Sequence, residues 1–152
     1  MLLKAALLAL AALALAACGG SKSAQPTTQQ SQLPPGCTAP EVQAIVNGFL
    51  ASPSFASFAG YRSQESDGRV FQAHAAGAAL AHLRARRSLG ERARLLQLQV
   101  YPVDVNRVHI VFTITRTAPD FLRRGIHFRI ATGTGTVDCA HGKVASWSQK
   151  GP

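Results

Sequence analysis

The sequence predicts an α+β domain, with helices in its first half and a curved antiparallel sheet of about four main strands in its second. Apolar residues recur with helical spacing before residue 90 and with a spacing of two after it. Short turn-forming segments join the alternating runs, and such connections place consecutive strands antiparallel. Because each kind of element has one apolar face, the pattern indicates helices packed in the hollow of one sheet.

The chain opens with a predicted lipoprotein signal peptide at residues 1–17. Lys4 precedes an uncharged run of Leu and Ala, which is shorter than the roughly 20 residues needed to span a bilayer. Residues 15–18, Leu-Ala-Ala-Cys, resemble the bacterial lipobox, in which the Cys thiol is acylated. We expect Cys18 to carry lipid such as palmitate and to hold the chain on the outer face of the cell membrane. An ordinary secretory signal with a chance Cys is the alternative.

Residues 18–36 are rich in Ser, Gln, Thr and Pro, with Leu33 as the one large aliphatic side chain. Such a segment cannot bury enough apolar surface to offset its ordering entropy, so it predicts a flexible, lipidated tether. The remaining residues, 37–152, are enough for one domain with its own core.

The chain is strongly basic, with 16 Lys and Arg against 7 Asp and Glu and a formal net charge of +9. A basic protein can meet nucleic acid, anionic lipid or an anionic wall polymer, and the export signal argues against nucleic acid. The candidate anion-binding residues lie at the end of the second predicted helix and in a later loop: Arg84, Arg86, Arg87, Arg123 and Arg124. For the first three, a solvated helix end that complements the helix dipole is the simpler interpretation.

The first helix is predicted to start at Thr38, which forms a capping box with Glu41, while Pro40 fits the first turn. An apolar stripe at helical spacing follows, and Ser52-Pro53 ends it: Val42, Ile45, Val46, Phe49 and Leu50. We therefore expect this helix to present one face to the sheet.

Phe55, Phe58 and Tyr61 recur at a spacing of three, which predicts a further short helix or turn. Residues 70–71 favour a short strand, and the second helix is predicted at residues 74–87. The two His of that helix are eight residues apart, about 12 Å along its axis, so one metal ion could not bridge them. We predict neither a metal site nor another cofactor.

Four alternating runs are predicted as the strands of a meander, at residues 94–101, 107–116, 125–130 and 143–149. Gly133 and Gly135 interrupt the third run, where a bulge would bend the sheet. The apolar positions predicted to face inward are Leu96, Leu98, Val100, Val108, Ile110, Phe112, Ile114, Ile126, Phe128 and Ile130.

With Cys18 assigned to lipid, Cys37 and Cys139 remain as an even pair in an extracytoplasmic protein. We predict that they form a disulfide, which would close a loop of about 100 residues. Chain entropy suggests a stabilisation of roughly 4 to 5 kcal/mol as an upper figure. Two buried thiols are the alternative.

No catalytic residue is predicted. None of the inward strand positions can ionise, and the carboxylates fall in turns or at element ends, where each has a structural role available: Glu41, Glu91, Asp104, Asp120 and Asp138. The chain has no Gly-x-Ser-x-Gly motif and no Gly-rich loop followed by Lys. His109, His127 and Arg129 point to the polar side of the sheet, and a solvated face is a simpler interpretation than a metal or anion site.

Two helices followed by a four-stranded meander resemble the NTF2-like superfamily, which includes ketosteroid isomerase and SnoaL-type cyclases. The ending from residues 135–139, Gly-Thr-Val-Asp-Cys, to Trp147-Ser148 is similar to small bacterial lipoproteins with an NTF2-like domain of unassigned function. The resemblance covers residues 38–149 and implies a cone-shaped domain that often dimerises through its sheet, where Leu95 and Val111 would be exposed. A cystatin-like sheet around a single helix is the alternative.

Three functions stay open at this point. The sequence favours a non-catalytic binding domain on the outer membrane face, for a small apolar ligand or a protein partner. An enzyme like ketosteroid isomerase or SnoaL would need a carboxylate inside the cone, and a basic surface could bind anionic envelope polymers instead. Whether Phe49, Phe71 and Phe112 line a cavity or fill it decides whether the cone has a pocket.

Overall fold

The computed structural model describes residues 32–65 and 67–151. The predicted signal peptide, the lipidated Cys18 and most of the predicted tether lie outside the described residues. Leu33 is half-buried against the core and Pro34 is buried, so the chain already packs on the domain before Cys37. In this part of the chain, no helix is both long enough and apolar enough to cross a membrane.

Three helices and six strands make up the described domain. In chain order they are α1 Ala39–Ala51, β1 Phe55–Gln64, β2 Val70–Ala73, α2 Ala76–Ser88, β3 Arg92–Pro102, β4 Arg107–Thr117, α3 Pro119–Arg123, β5 Arg129–Asp138 and β6 Lys143–Lys150. The strands form one sheet in the order β2-β1-β6-β5-β4-β3. The predicted α+β architecture is confirmed, and β3 to β6 form the antiparallel meander.

Helix α1 begins where the sequence predicts. The Glu41 carboxylate accepts hydrogen bonds from the Thr38 backbone N–H at 2.9 Å and from the Thr38 hydroxyl at 2.6 Å. Val42, Val46 and Phe49 are buried where the helix packs against β3 and β6. Helix α2 packs on β1 and β2, so two helices contact the sheet rather than the single helix of a cystatin-like arrangement.

Residues Phe55–Gln64 form strand β1, and the prediction of a short helix or turn there is wrong. This strand pairs with β6 in parallel, and its register shifts between Phe55 and Gly60. Ser57 and Gly60 have positive φ angles of 46° and 143°, which interrupt the strand. A register irregularity replaces the spacing of two with one of three, so the pattern resembled a helical turn.

The third predicted run also lies elsewhere. Strand β5 begins at Arg129, whereas Phe128 and Ile130, which were predicted to face inward, are 54% and 43% exposed. The inward positions of β5 are the opposite set, and they include Ala131 and Val137, which are 1% and 0% exposed. Residues 125–128 belong to the connection after α3, so their alternation is not that of a strand.

Gly133 and Gly135 lie within β5, where the β4–β5 ladder is continuous from Arg107 to Arg116. The irregularity of β5 lies just after them, in its pairing with β6 between Thr136 and Val137. A Cβ atom at Gly133 would lie 2.5 Å from Cζ of Phe112, and one at Gly135 would lie 2.6 Å from the Ser146 carbonyl oxygen. These glycines let the large side chains of β4 lie flat against β5, which is the close approach that glycine permits.

The prediction for Leu96 is wrong because β3 carries a bulge at this position. The β3–β4 register shifts between Leu95 and Gln97, and Leu96 is 51% exposed. Leu95 takes the inward position opposite Ile114 and packs against the core. One extra residue reverses which face a side chain occupies, so Leu95 does not belong to the exposed sheet face that was expected to dimerise.

A disulfide joins Cys37, just before α1, to Cys139, just after β5. Their Cα atoms are 5.5 Å apart, and 102 positions separate them in the sequence. The Cys139 backbone N–H also donates to the Asn106 carbonyl at 2.9 Å. The start of α1 is thereby fixed to the end of the sheet.

Candidate functional site

Aromatic side chains of the chain itself fill the base of the cone. The Phe112 ring stacks on Trp147 with centroids 3.8 Å apart, and the Phe49 ring lies 5.0 Å from Trp147. A cavity of about 50 Å³ remains beside them, which suits a few water molecules rather than a larger ligand. Phe49 and Phe112 therefore fill the interior, whereas Phe71 lines a separate, wider cleft.

That wider cleft, with a volume of about 440 Å³, lies beside α2 and α3. Its apolar wall consists of Val70, Phe71, Leu89, Ala118 and Phe121. Its floor consists of four charged side chains, here called the four-charge cluster: Glu65, Arg86, Glu91 and Arg116. The cleft thus combines an apolar wall with a small number of polar groups, as small-molecule sites commonly do.

The four-charge cluster pairs each guanidinium with both carboxylates. Arg116 is 2% exposed, and it contacts Glu91 at 2.9 Å and Glu65 at 3.1 Å. Arg86 contacts Glu91 at 2.6 Å and also pairs with Glu65. A buried charge is tolerated only when it is paired and hydrogen-bonded, and the formal charges of this cluster sum to zero.

Two elements and two loops supply the cluster. Arg116 is the last inward position of β4, Arg86 lies in the last turn of α2, Glu91 precedes β3, and Glu65 follows β1. The even-numbered apolar series of β4 continues to Arg116, so strand parity could have found it. No such pattern marks Glu65, because it lies in a loop, where side chains do not alternate between two faces.

The expectation that no inward group can ionise is therefore wrong. Burial raises the pKa of Glu91, while the neighbouring Arg86 guanidinium opposes that rise. Glu91 was expected to have only a structural role at an element end, but it contacts both Arg86 and Arg116. With two cationic partners for each carboxylate, neither Glu65 nor Glu91 is a free base.

Hydrogen bonds connect the cluster to the aromatic base. The Trp147 indole N–H donates to Gln149 at 2.8 Å, and the Gln149 amide donates to the Ser63 hydroxyl at 3.3 Å. Ser63 also accepts from Arg86 at 3.1 Å and donates to Glu65 at 3.2 Å. One donated bond and two accepted bonds use the full capacity of the Ser63 hydroxyl.

Tyr61 is only 2% exposed, and its buried hydroxyl has no hydrogen-bond partner among the described residues. The nearby Ser63 hydroxyl has no remaining capacity for it. Burial raises the pKa of Tyr61 to about 12, and the Arg86 charge opposes that rise. Tyr61 lines the small cavity together with Arg86 and Glu91, so its unpaired hydroxyl lies beside the cluster.

His82 repeats this feature on the side of the wider cleft. Its Nε2 atom is buried and has no partner in the part of the chain that the structure describes. The ring stacks on Phe71 with centroids 3.9 Å apart and planes inclined by 5°. Burial and then the Arg86 charge lower the pKa of His82, so the imidazole is neutral at pH 7.

The residues predicted to bind anions do not act as one surface. Arg86 belongs to the cluster, Arg87 donates to the Leu50 and Ala51 carbonyls at the end of α1, and Arg124 pairs with Asp120 at 2.9 Å. Arg84 and Arg123 are exposed, but on different helices. Among the described residues, no group of three or more His, Cys, Asp or Glu could hold a metal ion.

Comparison with solved structures identifies the fold. The chain is similar to a candidate calcium/calmodulin-dependent protein kinase II association domain from Xanthomonas campestris, with a TM-score of 0.56, 15% identity, and coverage of 80% of this chain and 93% of that one. It is also similar to a candidate isomerase of the SnoaL-like family from Agrobacterium tumefaciens, with a TM-score of 0.51, 15% identity, and coverage of 74% and 98%. No protein-family model and no curated protein matches the chain. The domain has the NTF2-like fold that the sequence predicts.

Proposed function

We propose that this protein is a lipoprotein held on the outer face of the cell membrane through Cys18, and that its NTF2-like domain binds a small, uncharged, amphipathic molecule without transforming it. The observation that carries this proposal is the wider cleft, where an apolar wall meets a charge-neutral polar floor. The filled base of the cone argues against a ligand deeper inside, because only about 50 Å³ is free there.

The charges around the cleft favour an uncharged ligand. Besides the four-charge cluster, Arg69 and Asp120 line the cleft, so three cations face three carboxylates. A charged ligand would lose hydration and gain no net attraction in return. An uncharged molecule can instead place its apolar part against Phe71 and Phe121 and its polar group towards the floor.

The unpartnered polar atoms suggest where that polar group goes. His82 lines the wider cleft and Tyr61 lines the small cavity, with Arg86 and Glu91 lining both. The His82 Nε2 atom and the Tyr61 hydroxyl are buried without a partner among the described residues. A buried polar atom left without a partner costs about 1 to 3 kcal/mol. A ligand atom that satisfies His82 recovers that cost, which favours a ligand with hydrogen-bonding capacity over a pure hydrocarbon.

Two matched variants test the cleft. Leu89 lines it and is 77% exposed, whereas Leu122 does not line it and is 56% exposed. The full chain is purified in non-ionic detergent, co-purifying small molecules are identified by mass spectrometry, and binding is then measured by calorimetry. We expect Leu89→Glu to weaken binding at least tenfold and Leu122→Glu to leave it unchanged, since only the first places an unpaired charge in the cleft. Equal effects of both variants would argue against the cleft.

Membrane attachment needs a separate test. Expression of the full chain in a bacterial host, with radiolabelled palmitate, should yield a labelled protein in the membrane fraction. Cys18→Ser should lose the label and release the domain, because the acyl chains are the proposed anchor. A labelled Cys18→Ser variant would contradict the assignment.

An enzyme like ketosteroid isomerase or SnoaL is the second candidate. The observation in its favour is Glu91, a half-buried carboxylate of raised pKa beside a phenol, Tyr61. Perturbed groups of this kind are common in active sites, although the two guanidinium contacts of Glu91 limit its use as a base. Turnover of the bound molecule by the wild type, abolished in Glu91→Gln with binding retained, would establish the enzyme and displace the binding-only proposal.

A further inference from the structure

The outer face of the sheet carries a shallow groove that is separate from the cleft. It combines a volume of about 450 Å³ with an adjoining one of about 320 Å³, and the two share Arg62, Thr134 and Ser148. This outer-face groove crosses β1, β6 and β5, which are neighbours in the sheet. It therefore offers an extended track rather than an enclosed pocket.

The groove is positively charged. Arg62 and Lys150 line it, both are exposed, and neither makes an ion pair with any residue that the structure describes. The imidazoles of His74 and His109 lie along the same groove. Among the described residues that line it, none is Asp or Glu. An anionic group would meet attraction here with no carboxylate opposing it.

The carboxylates are absent from this groove because each has a partner elsewhere. All seven acidic residues of the chain lie in the described part. Two belong to the four-charge cluster, and the other five accept hydrogen bonds from local partners: Glu41 from Thr38, Asp67 from Arg69, Asp104 from Arg107, Asp120 from Arg124 and Asp138 from His141. The net positive charge of the domain is therefore left on other faces, including the outer sheet.

Hydroxyl groups fill the space between the cations. Thr134 pairs with Ser148, and Thr136 with Ser146, across β5 and β6, so their hydroxyls stand in rows on the outer face. Neighbouring strands are roughly 4.8 Å apart, which sets a regular spacing of donors and acceptors. Such rows match the hydroxyl-rich surface of a sugar chain better than they match an apolar partner.

We infer that the outer-face groove binds an anionic polysaccharide, with its acidic groups at Arg62 and Lys150 and its sugar hydroxyls on the Thr and Ser rows. Nucleic acid is disfavoured because the aromatic residues bordering the groove, Tyr61 and Trp147, are 2% exposed and cannot stack on bases. A second copy of the chain is disfavoured because it would place the same cations against each other. This inference does not depend on a ligand in the cleft.

The test compares polymers on the full chain in non-ionic detergent. Soluble polygalacturonate supplies a carboxylate on each sugar, polyglycerol phosphate supplies phosphates without sugar rings, and dextran is uncharged. We expect binding in the order polygalacturonate, polyglycerol phosphate, dextran, because only the first offers both acidic groups and sugar hydroxyls. Binding should weaken steeply as salt rises from about 50 to 500 mM, since exposed charges are screened. Binding of dextran as tight as that of polygalacturonate would overturn the role of the cations.

Two double variants with the same change of charge locate the site. Arg62→Gln with Lys150→Gln should weaken polygalacturonate binding about tenfold, the scale expected for two exposed ion pairs. Arg84→Gln with Arg123→Gln removes two exposed cations from α2 and α3 and should change binding less than twofold. Equal losses would show that net charge alone attracts the polymer. Tighter binding to a DNA duplex, or a dimer that the first double variant dissociates, would each overturn the inference.

Discussion

The inward face of β4 runs from the aromatic base of the cone to its mouth, the end that holds the four-charge cluster. These two ends are built in opposite ways. On β4, Ile110, Phe112 and Ile114 point inward against aromatic neighbours, and two residues later Arg116 points the same way into two carboxylates. At the base, stabilisation comes from apolar area and close packing. At the mouth, the paired charges roughly offset their own desolvation, so that region contributes specificity more than stability.

This difference separates the structural part of the domain from its candidate site. The base leaves only about 50 Å³ unfilled, lined in part by Tyr61, whereas the mouth keeps a cleft of about 440 Å³ lined in part by His82. Each of these two side chains has a buried polar atom without a partner among the described residues. The variants below distinguish the two regions.

The largest effect is expected at the base. Phe112→Ala removes a ring that is 1% exposed and stacked on Trp147, and such a loss costs about 3 to 5 kcal/mol of unfolding free energy. Urea unfolding at pH 7 measures it. Phe128→Ala, at 54% exposure, is the matched control and should cost about 0.5 kcal/mol or less. Comparable losses from both would show that the base does not dominate stability.

At the mouth, Arg116→Met should cost about 3 kcal/mol at pH 7, because it leaves two half-buried carboxylates with a single guanidinium. The cost should shrink as the pH falls towards 4. Burial already raises the pKa of Glu91, and the loss of Arg116 raises it further. Protonation of Glu91 then removes the unpaired charge, and relative stability returns as the pH falls through that pKa. A deficit that stays constant from pH 7 to 4 would mean that Arg116 matters for packing rather than charge.

The unfolding free energy should also depend on pH through Tyr61, by an amount similar to the effect of Arg116→Met. Its pKa in the folded state is raised to about 12, so its contribution is complete below pH 10 and is lost as the pH rises towards 12. The unfolded state releases the phenol proton first, and stability falls by roughly 1.4 kcal/mol per pH unit, or about 3 kcal/mol in all. The difference between wild type and Tyr61→Phe in urea unfolding from pH 9 to 12 isolates this residue. A difference independent of pH would contradict the burial of the phenol.

The smallest effect has the opposite sign. At pH 7, Tyr61→Phe should stabilise the ligand-free domain by about 1 kcal/mol, because it removes a buried hydroxyl that lacks a partner among the described residues. Thermal unfolding of the two proteins measures the change. The same variant should leave binding in the wider cleft unchanged, because Tyr61 lines the small cavity and not that cleft. Destabilisation by Tyr61→Phe would mean that the hydroxyl is satisfied in solution.

Local patterns were sufficient for much of the fold. The capping residues Thr38 and Glu41 located the start of α1, and the alternation of β4 located its inward face up to Ile114. The pairing of Cys37 with Cys139 also follows from cysteine usage and agrees with their 5.5 Å Cα separation. The lipidation of Cys18 stays a prediction from its lipobox. These features are encoded within a few neighbouring residues or by residue identity, so they can be read without the fold.

Only the tertiary structure decided the rest. The extra residue at Leu96 reverses the parity of β3, and the irregular start of β1 is stabilised by parallel pairing with β6, a partner more than eighty residues away. The four-charge cluster likewise joins residues from four distant segments. Arg116 can be buried only because it pairs with Glu65 and Glu91. Sequence periodicity reports which face a residue occupies, whereas register and the pairing of buried charges depend on contacts between distant segments.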